Sequence, residues 1–338
     1  MFQYANTLCL LSVLECNNKV TRHVAMHTLD SSMEQKLLFS RGSICKIIQD
    51  CTKKKCLLMG RQIYSIVFIH GLDSDSFIVD HIIRMFTACG SLVDASEAFY
   101  QVLNPSIFTW NALISAHLNL GDYEQTLLLF CKMQEKDELV PDKVSYLSAI
   151  KYCIFVGCVK NSRVLHREII RAGVLVDVVM GSSIIDMYCK CSNIKEARNI
   201  FDHMKNRDHV SWVTMMGGYA EHGHSLSSLE LLERMQQEGI QLCRVALICS
   251  LKACSMLKAM KEGRWLHDRI VRDGHESDIV VNCTLMDLYV KSVGLKEAQN
   301  VFDGSLLCDN VSWNVMFGAY VHHSEYLSAL DLFDKMTQ

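Results

Sequence analysis

Hydrophobic residues recur along most of this chain at the spacing of one helical face. From Trp212, apolar side chains follow at Met215, Met216 and Tyr219, and these steps of three and four residues predict an amphipathic helix. After a short break that contains Gly223, an apolar pattern of the same kind restarts. The pattern therefore predicts a hairpin of two helices, which we call its first and second helix.

The hairpin returns at fixed intervals. The segment WNALISAHLNLGDYEQTLLLFCKM begins at Trp110, and related segments begin at Trp212 and Trp313, about 101 residues apart. Two further series alternate with it, one starting at Cys51, Cys153 and Cys254 and the other at Met85, Met187 and Leu288. Because neither helix of a hairpin can bury its apolar face alone, we expect successive hairpins to stack into an all-α solenoid.

Composition agrees with one continuous array. The 338 residues include only two prolines, and no flexible linker divides the chain. Sixteen cysteines lie mostly in predicted helices, without a convincing secretory leader, which favours a reducing compartment. The apolar stretches are too short for the roughly 20 residues of a membrane span, so no membrane contact is expected. The net charge of -3 means that any nucleic acid would be bound through its bases or through local basic patches.

These residues and their order resemble the plant-type pentatricopeptide repeat family, in its subgroup with alternating long, short and standard motifs. The segment MYCKCSNIKEARNIFDHMKNRD from Met187 is especially typical. The resemblance covers residues 41–338 and implies a right-handed superhelix of helix-turn-helix repeats. The expected repeats are 41–75, 76–106, 107–142, 143–177, 178–208, 209–243, 244–278, 279–309 and a partial repeat 310–338. Residues 1–40 are expected to form a weak transit peptide or a degenerate capping repeat.

The resemblance implies binding of single-stranded RNA in mitochondria or chloroplasts, at about one base per repeat. In the family, the second residue of a repeat packs on the base, while the fifth and last residues select it by hydrogen bonding, which suits an unstacked base. Carried over, the base-packing residues are Phe108, Val179 and Val311, and the base-selecting residues are Asn111 with Asp142, Ser182 with Asp208, and Asn314. The three sets match uridine, guanine and a pyrimidine, respectively.

Other repeats depart from the family pattern at the selecting positions. Val213 with Cys243, and Cys283 with Asp309, predict little or no base selection. Long motifs carry Cys45, Leu147 and Ile248 as their fifth residues, which is typical of spacer repeats. The pair of Asp80 and Ser106 has no family counterpart that assigns it a base.

No catalytic site is predicted. Many members of the subgroup end in a cytidine deaminase extension, whose zinc site needs H-x-E and a later P-C-x-x-C. His166 and Glu168 complete an H-x-E, but the other long motifs have Tyr64 and His267 at the place of His166, and no C-x-x-C occurs. We therefore expect His166 to be a packing residue, and we predict no cofactor, no metal ion and no enzymatic activity.

Other conspicuous side chains have structural explanations. The helical register of Trp110, Trp212 and Trp313 predicts core positions rather than platforms for bases. Cys51, Cys153 and Cys254 share one repeat position, about 100 residues apart, so they cannot converge on one metal ion and are expected to pack. The run Lys53 to Lys55 predicts a solvated turn.

Three functions remain open from the sequence. The leading hypothesis is sequence-selective binding of organellar RNA, most simply for C-to-U editing, with a deaminase or editing cofactor protein acting in trans. A protein-binding scaffold of the tetratricopeptide type also stacks two-helix units, but its uniform repeats carry a W-x-x-L-G-x-x-Y signature that this chain lacks. A degenerate relative that folds without recognising RNA would account for the poor selecting pairs and the net negative charge.

Overall fold

The computed structural model describes residues 41–69, 71–72, 75–136, 139–174, 177–292, 294–304 and 309–337. The described residues form eighteen α-helices and one short 3-10 helix, His275–Ser277. The expectation for residues 1–40 lies outside the described residues. No described helix has the length and apolar character that a bilayer crossing requires.

The helices alternate as first and second members of hairpins. The first helices are α1 Arg41–Lys54, α3 Ser76–Ala88, α5 Ile107–Asn119, α7 Lys143–Val156, α9 Val178–Lys190, α11 His209–Glu221, α13 Arg244–Leu257, α15 Ile279–Ser292 and α17 Asn310–His322. The second helices are α2 Leu57–Ile69, α4 Leu92–Tyr100, α6 Tyr123–Gln134, α8 Val159–Arg171, α10 Ile194–His203, α12 Ser225–Gln237, α14 Met260–Arg272, α16 Leu295–Gly304 and α18 Tyr326–Thr337.

Contacts divide the chain into two units, residues 1–152 and 153–338, and the division falls within α7. In the first unit, α1, α3 and α5 pack side by side, and each second helix packs on the first helix of its own hairpin. In the second unit, α9, α11, α13, α15 and α17 form the same kind of row. The candidate site residues lie on the first helices of these two units or at their starts.

Trp110 and Trp212 anchor the starts of two standard repeats in the core, as their register predicts, whereas Trp313 is only half-buried. Trp212 is fully buried and Trp110 is 4% exposed. The ring of Trp212 meets Phe201 of the preceding second helix edge to face, at 4.9 Å between centroids, and Trp313 meets Phe302 in the same way. Such pairs add about 0.5–1.5 kcal/mol to area burial, so these indoles hold neighbouring repeats together.

The last residue of each repeat begins the next first helix. Eight first helices, from α3 to α17, begin after such a last residue. In seven of them, a side-chain oxygen of that residue accepts a hydrogen bond from a backbone N–H of the first helical turn. These seven residues are Asp75, Ser106, Asp142, Asp177, Asp208, Asp278 and Asp309. Cys243, at the start of α13, makes no side-chain cap bond. Because the helix start otherwise has unsatisfied N–H groups, a capping oxygen is worth about 1 kcal/mol, and it fixes the position of the last residue.

Candidate nucleic-acid interface

The fifth and last residues of the repeat at 107–142 lie together. The amide nitrogen Nδ2 of Asn111 donates to Oδ1 of Asp142 at 2.9 Å. Ser145, in the first turn of α7, has its hydroxyl 2.7 Å from Oδ1 of Asn111 and 3.0 Å from Oδ1 of Asp142. These bonds leave Asn111 one N–H and one oxygen lone pair for a ligand.

A related arrangement joins Ser182 and Asp208 through a third side chain. The hydroxyl of Ser182 is 2.9 Å from that of Ser211 in the first turn of α11. Ser211 in turn donates from its hydroxyl to Oδ1 of Asp208 at 2.8 Å. The two predicted selecting residues are therefore linked through Ser211, which sequence reasoning did not single out.

Two further repeat junctions also have a hydroxyl group at the third residue of the following repeat. Cys283 lies 3.5 Å from the hydroxyl of Ser312, which donates to Oδ1 of Asp309 at 3.1 Å. Asp80 is hydrogen-bonded to Thr109, whose hydroxyl lies 2.9 Å from that of Ser106.

Asp80 is the one carboxylate among these fifth residues. It is buried, its Oδ1 has no hydrogen-bond partner, and desolvation raises its pKa. Asn314, the remaining predicted selecting residue, is exposed in the first turns of α17.

The second residue is an exposed apolar side chain in eight repeats of the two units. Exposure lies between 44% and 63% at Phe77, Phe108, Val144, Val179, Val210, Val245, Val280 and Val311. This set includes the predicted packing residues Phe108, Val179 and Val311 and adds five at the same repeat position. Exposed apolar groups in a regular series, some of them next to a hydrogen-bonding pair, are unusual on a surface without a ligand.

A cleft between α9 and α11 brings these features together. Its volume is about 530 Å3, and its walls include Val179, Val210, Ser182, Asp208 and Val213. Polar side chains predicted to select a base, and apolar side chains predicted to pack on it, therefore face one space.

Charged groups line the same cleft. Nζ of Lys190 lies 2.7 Å from Glu221 across the cleft, and this hydrogen bond raises the pKa of the lysine. Desolvation raises the pKa of the neighbouring Asp186. Lys190 is thus the single basic side chain of the cleft, and an acid already neutralises it.

In two long repeats, the last residue forms an ion pair with the first residue. Asp75 and Asp278 accept from the arginine that opens the same repeat, with 2.5 Å between Arg41 and Asp75 and 2.5 Å between Arg244 and Asp278. The ion pair with Arg244 and two backbone N–H groups lower the pKa of Asp278 against the effect of desolvation. The following repeats have Ile78 and Val281 where Ser145 and Ser211 stand elsewhere. These junctions have no hydroxyl that could link a selecting pair.

One set of side chains has the composition of a hydrolase triad. His117 lies 3.3 Å from the hydroxyl of Ser96 through Nε2 and 2.9 Å from Asp122 through Nδ1. The equivalent repeat positions hold Arg198 with Tyr219 at 3.0 Å and Gln299 with Tyr320 at 2.7 Å. The site is therefore one form of a recurring polar link between hairpins, and it gives no sign of catalysis.

The histidine of the H-x-E segment belongs to another recurring link. Nδ1 of His166 lies 3.1 Å from the hydroxyl of Tyr188, and Nδ1 of His267 lies 2.7 Å from that of Tyr289. Desolvation lowers the pKa of both histidines. The packing role predicted for His166 is confirmed, and among the described residues no group of His, Cys, Asp and Glu side chains is arranged to hold a metal ion.

Cysteines of different repeat positions meet in a way that sequence reasoning missed. Cys51 is hydrogen-bonded to Cys89, and Cys191 lies beside Cys153, whose carbonyl is 3.8 Å from its Sγ. The thiols of Cys51, Cys89, Cys153 and Cys191 are not joined by disulfides. Burial raises the pKa of Cys51 to about 11 and that of Cys153 to about 12, so these thiols stay protonated and pack as small apolar groups.

Comparisons of sequence agree with the repeat pattern. A model of the PPR repeat family matches residues 105–154, and a model of the PPR repeat matches residues 182–209, 210–240 and 311–338. Two chloroplastic pentatricopeptide repeat-containing proteins of Arabidopsis thaliana are 29% identical over 87% of this chain and 30% identical over 91% of it. A mitochondrial one from the same plant is 28% identical over 90% of the chain. The chain spans 48%, 58% and 36% of these three relatives.

Solved structures agree with the fold. The crystal structure of the pentatricopeptide repeat protein PPR10 from maize matches 99% of this chain and 48% of its own, at 17% identity and a TM-score of 0.66. PPR10 in complex with an 18-nt psaJ RNA element matches 88% of this chain and 45% of its own, at 18% identity and a TM-score of 0.71. The predicted all-α class of stacked helix-turn-helix repeats is confirmed. The chloroplastic and mitochondrial names of the relatives agree with an organellar location.

Proposed function

We propose that this chain, a pentatricopeptide repeat protein, binds single-stranded RNA selectively through its first helices. The observation that carries the proposal is the junction of Asn111 and Asp142, whose side chains meet at 2.9 Å from positions 31 residues apart. The neighbouring Phe108 is 63% exposed. An aromatic face beside a hydrogen-bonding pair is the arrangement that an unstacked base requires.

The bases follow from the groups that each pair leaves free. Asn111 keeps one donor and one acceptor, which match the Watson–Crick edge of a pyrimidine, and the family pattern makes this base uridine. Ser182 with Asp208 selects guanine, with Val179 packing on the base. Asn314 selects a pyrimidine, with Val311 as its packing residue.

The proposal extends to the alternating subgroup and to its role. By the expected repeat boundaries, Asn111 and Asp142 belong to a standard repeat, Ser182 and Asp208 to a short repeat, and Asn314 to the partial standard repeat, with long repeats as spacers. We propose that the RNA is organellar and that binding marks a site for C-to-U editing. The chain itself is the recognition component, and a deaminase or editing cofactor protein supplies catalysis in trans.

Selection from a pool of random single-stranded RNA tests the proposed function. We expect enrichment of a short motif over single-stranded DNA and duplex RNA of the same length. Asn111→Ser should change the preferred base at one nucleotide and leave the remaining motif unaltered. Absence of any enrichment would contradict RNA binding and favour a repeat protein that has lost recognition.

A further inference from the structure

The third residue of a repeat lies where two repeats meet. It is a hydroxyl at four of the eight junctions, at Thr109, Ser145, Ser211 and Ser312, and it is apolar at the other four, at Ile78, Met180, Ala246 and Val281. All four hydroxyls are buried, and each is bonded to the fifth residue of the repeat before it. Each one also contacts the last residue of that repeat.

We propose that this third-residue hydroxyl is a positioning residue that sets which hydrogen-bonding groups the selecting pair presents to a base. The inference rests on the proposed RNA binding and deepens it. The hydroxyl touches no base itself. It acts by fixing protons and amide orientation in the two side chains that do.

The direction of the bonds at Ser182 carries the inference. A carboxylate accepts and does not donate, so Ser211 directs its single proton to Asp208, at 2.8 Å. The short contact with Ser182, at 2.9 Å, then requires Ser182 to donate to Ser211. Ser182 consequently offers only lone pairs to the cleft, and it favours a base with N–H donors on its Watson–Crick edge, as guanine has.

The same hydroxyl orients an amide at Asn111. Asp142 accepts from Nδ2 at 2.9 Å, and Ser145 donates its single proton to the nearer acceptor, Oδ1 of Asn111 at 2.7 Å, rather than to Oδ1 of Asp142 at 3.0 Å. A half-turn of the amide would bring its oxygen against the carboxylate and its N–H₂ group against the hydroxyl proton. Asn111 is therefore held with a defined order of donor and acceptor, which a base can match or fail to match.

Binding measurements with Ser211→Ala test the inference at the guanine-selecting repeat. The probes are four RNAs that carry the motif selected by the wild-type chain and differ at one nucleotide only. This nucleotide is the one at which a Ser182→Asn variant changes the preferred base. Without Ser211, Ser182 can rotate and donate, so we expect the ratio of guanine to adenine affinity to fall about threefold to tenfold, the effect of one hydrogen bond. Ser211→Thr should restore the ratio, since Thr109 occupies the same repeat position.

Ser250→Ala is the matched control. Ser250 is as fully buried as Ser211, lies on a first helix and bonds only to Ala246 of that helix, at 2.8 Å. A purely structural role of Ser211 would weaken binding to all four RNAs equally and leave their ratio unchanged. That result, with a selective wild-type chain, would overturn the inference while the proposed function stands.

A measurement without RNA separates the two proposals. In protein labelled with 15N-asparagine, the side-chain amide signal of Asn111 is assigned by its loss in Asn111→Ser. We expect Ser145→Ala to shift this signal and to speed its hydrogen exchange, whereas Ser148→Ala, whose hydroxyl bonds to Val144 of its own helix at 3.1 Å, should not. An unchanged signal in Ser145→Ala would overturn the inference even if the chain binds no RNA.

Discussion

Phe108 is the most exposed of the apolar second residues, with 63% of its surface accessible. A phenyl ring left in water contributes little to folding, because its burial is the source of hydrophobic stabilisation. The same ring offers a stacking face, and stacking on a base is worth about 1–3 kcal/mol by alanine substitution. Because Phe108 is exposed, its replacement should affect RNA binding without affecting the stability of the fold.

Phe108→Ala should weaken binding to the selected RNA by about tenfold, as loss of one stacked base requires, and leave the melting temperature unchanged within error. The measurement is a titration with labelled RNA beside a thermal melt. Val93→Ala is the control, since Val93 is 77% exposed on the second helix α4. An equal loss of affinity in both variants would contradict a specific role for the second repeat residue.

The half-buried histidines His166 and His267 give the protein a pH dependence with a defined sign. Desolvation lowers the pKa of His166 and His267 below the ordinary value of 6.5, so between the folded and unfolded pKa the unfolded chain binds more protons. The contribution of these two histidines to the stability of the protein is fully present above about pH 6.5. It should be lost as the pH decreases through their lowered pKa.

Replacing both histidines with glutamine should flatten the decline in melting temperature between about pH 7.5 and pH 5.5. The comparison with wild type at each pH isolates the two rings from the carboxylates. His203→Gln, at an exposed position on α10, is the control and should keep the wild-type slope. Parallel curves for all three proteins would show that burial of these rings is not linked to folding.

At the scale of elements, two neighbouring first helices approach each other closely where glycine permits it. A Cβ atom on Gly218 of α11 would lie 2.2 Å from Sγ and 3.0 Å from Cβ of Cys189 on α9. On the adjacent Gly217, a Cβ atom would meet no other atom within 4 Å. The two glycines therefore differ in what they do, although both are helical.

Gly218→Ala should destabilise the protein by about 1–3 kcal/mol, the usual effect of overpacking a core. Gly217→Ala should stabilise it by about 0.5–1 kcal/mol, because alanine loses less backbone freedom in a helix. Urea denaturation of the two single variants measures both values. Equal effects of the two substitutions would refute the close approach of α9 and α11.

The helices and their order were predictable because burial of one helical face leaves a clear periodicity, as at Trp212, Met215 and Met216. The pairing of Asn111 with Asp142 came from family resemblance, since no pattern within one hairpin connects residues of two hairpins. Ser211 was not predicted because a serine before a core tryptophan has the ordinary composition of a first helical turn. Its role depends on the direction of its bonds, which only coordinates provide.

The whole molecule carries a net charge of -3, so contacts with phosphates should be few. Each phosphate contact steepens the salt dependence of single-strand binding by about 0.7 in the logarithmic slope. In the cleft between α9 and α11, the ammonium group of Lys190 is held by Glu221 at 2.7 Å. The acid thus competes with any phosphate for the one basic side chain there.

Glu221→Gln should free Lys190, raise RNA affinity at low salt and steepen the slope by about 0.7. Titrations between about 50 and 200 mM salt measure the change. Glu230→Gln alters the net charge equally at an exposed position on α12 and should produce a smaller rise without a new slope. If both variants behave alike, overall charge rather than the local ion pair governs binding.

The capping aspartates have a consequence for how such arrays can be rearranged. Asp208 ends one repeat by sequence, yet its carboxylate holds the first turn of α11 and contacts Ser211 in the next. A gene duplication or an engineered graft that cuts at the start of a helix would separate these partners. The unit that keeps these partners together therefore begins inside one hairpin and ends inside the next. Exchanges of repeats with breakpoints inside first helices should transfer base specificity more faithfully than exchanges with breakpoints at repeat boundaries.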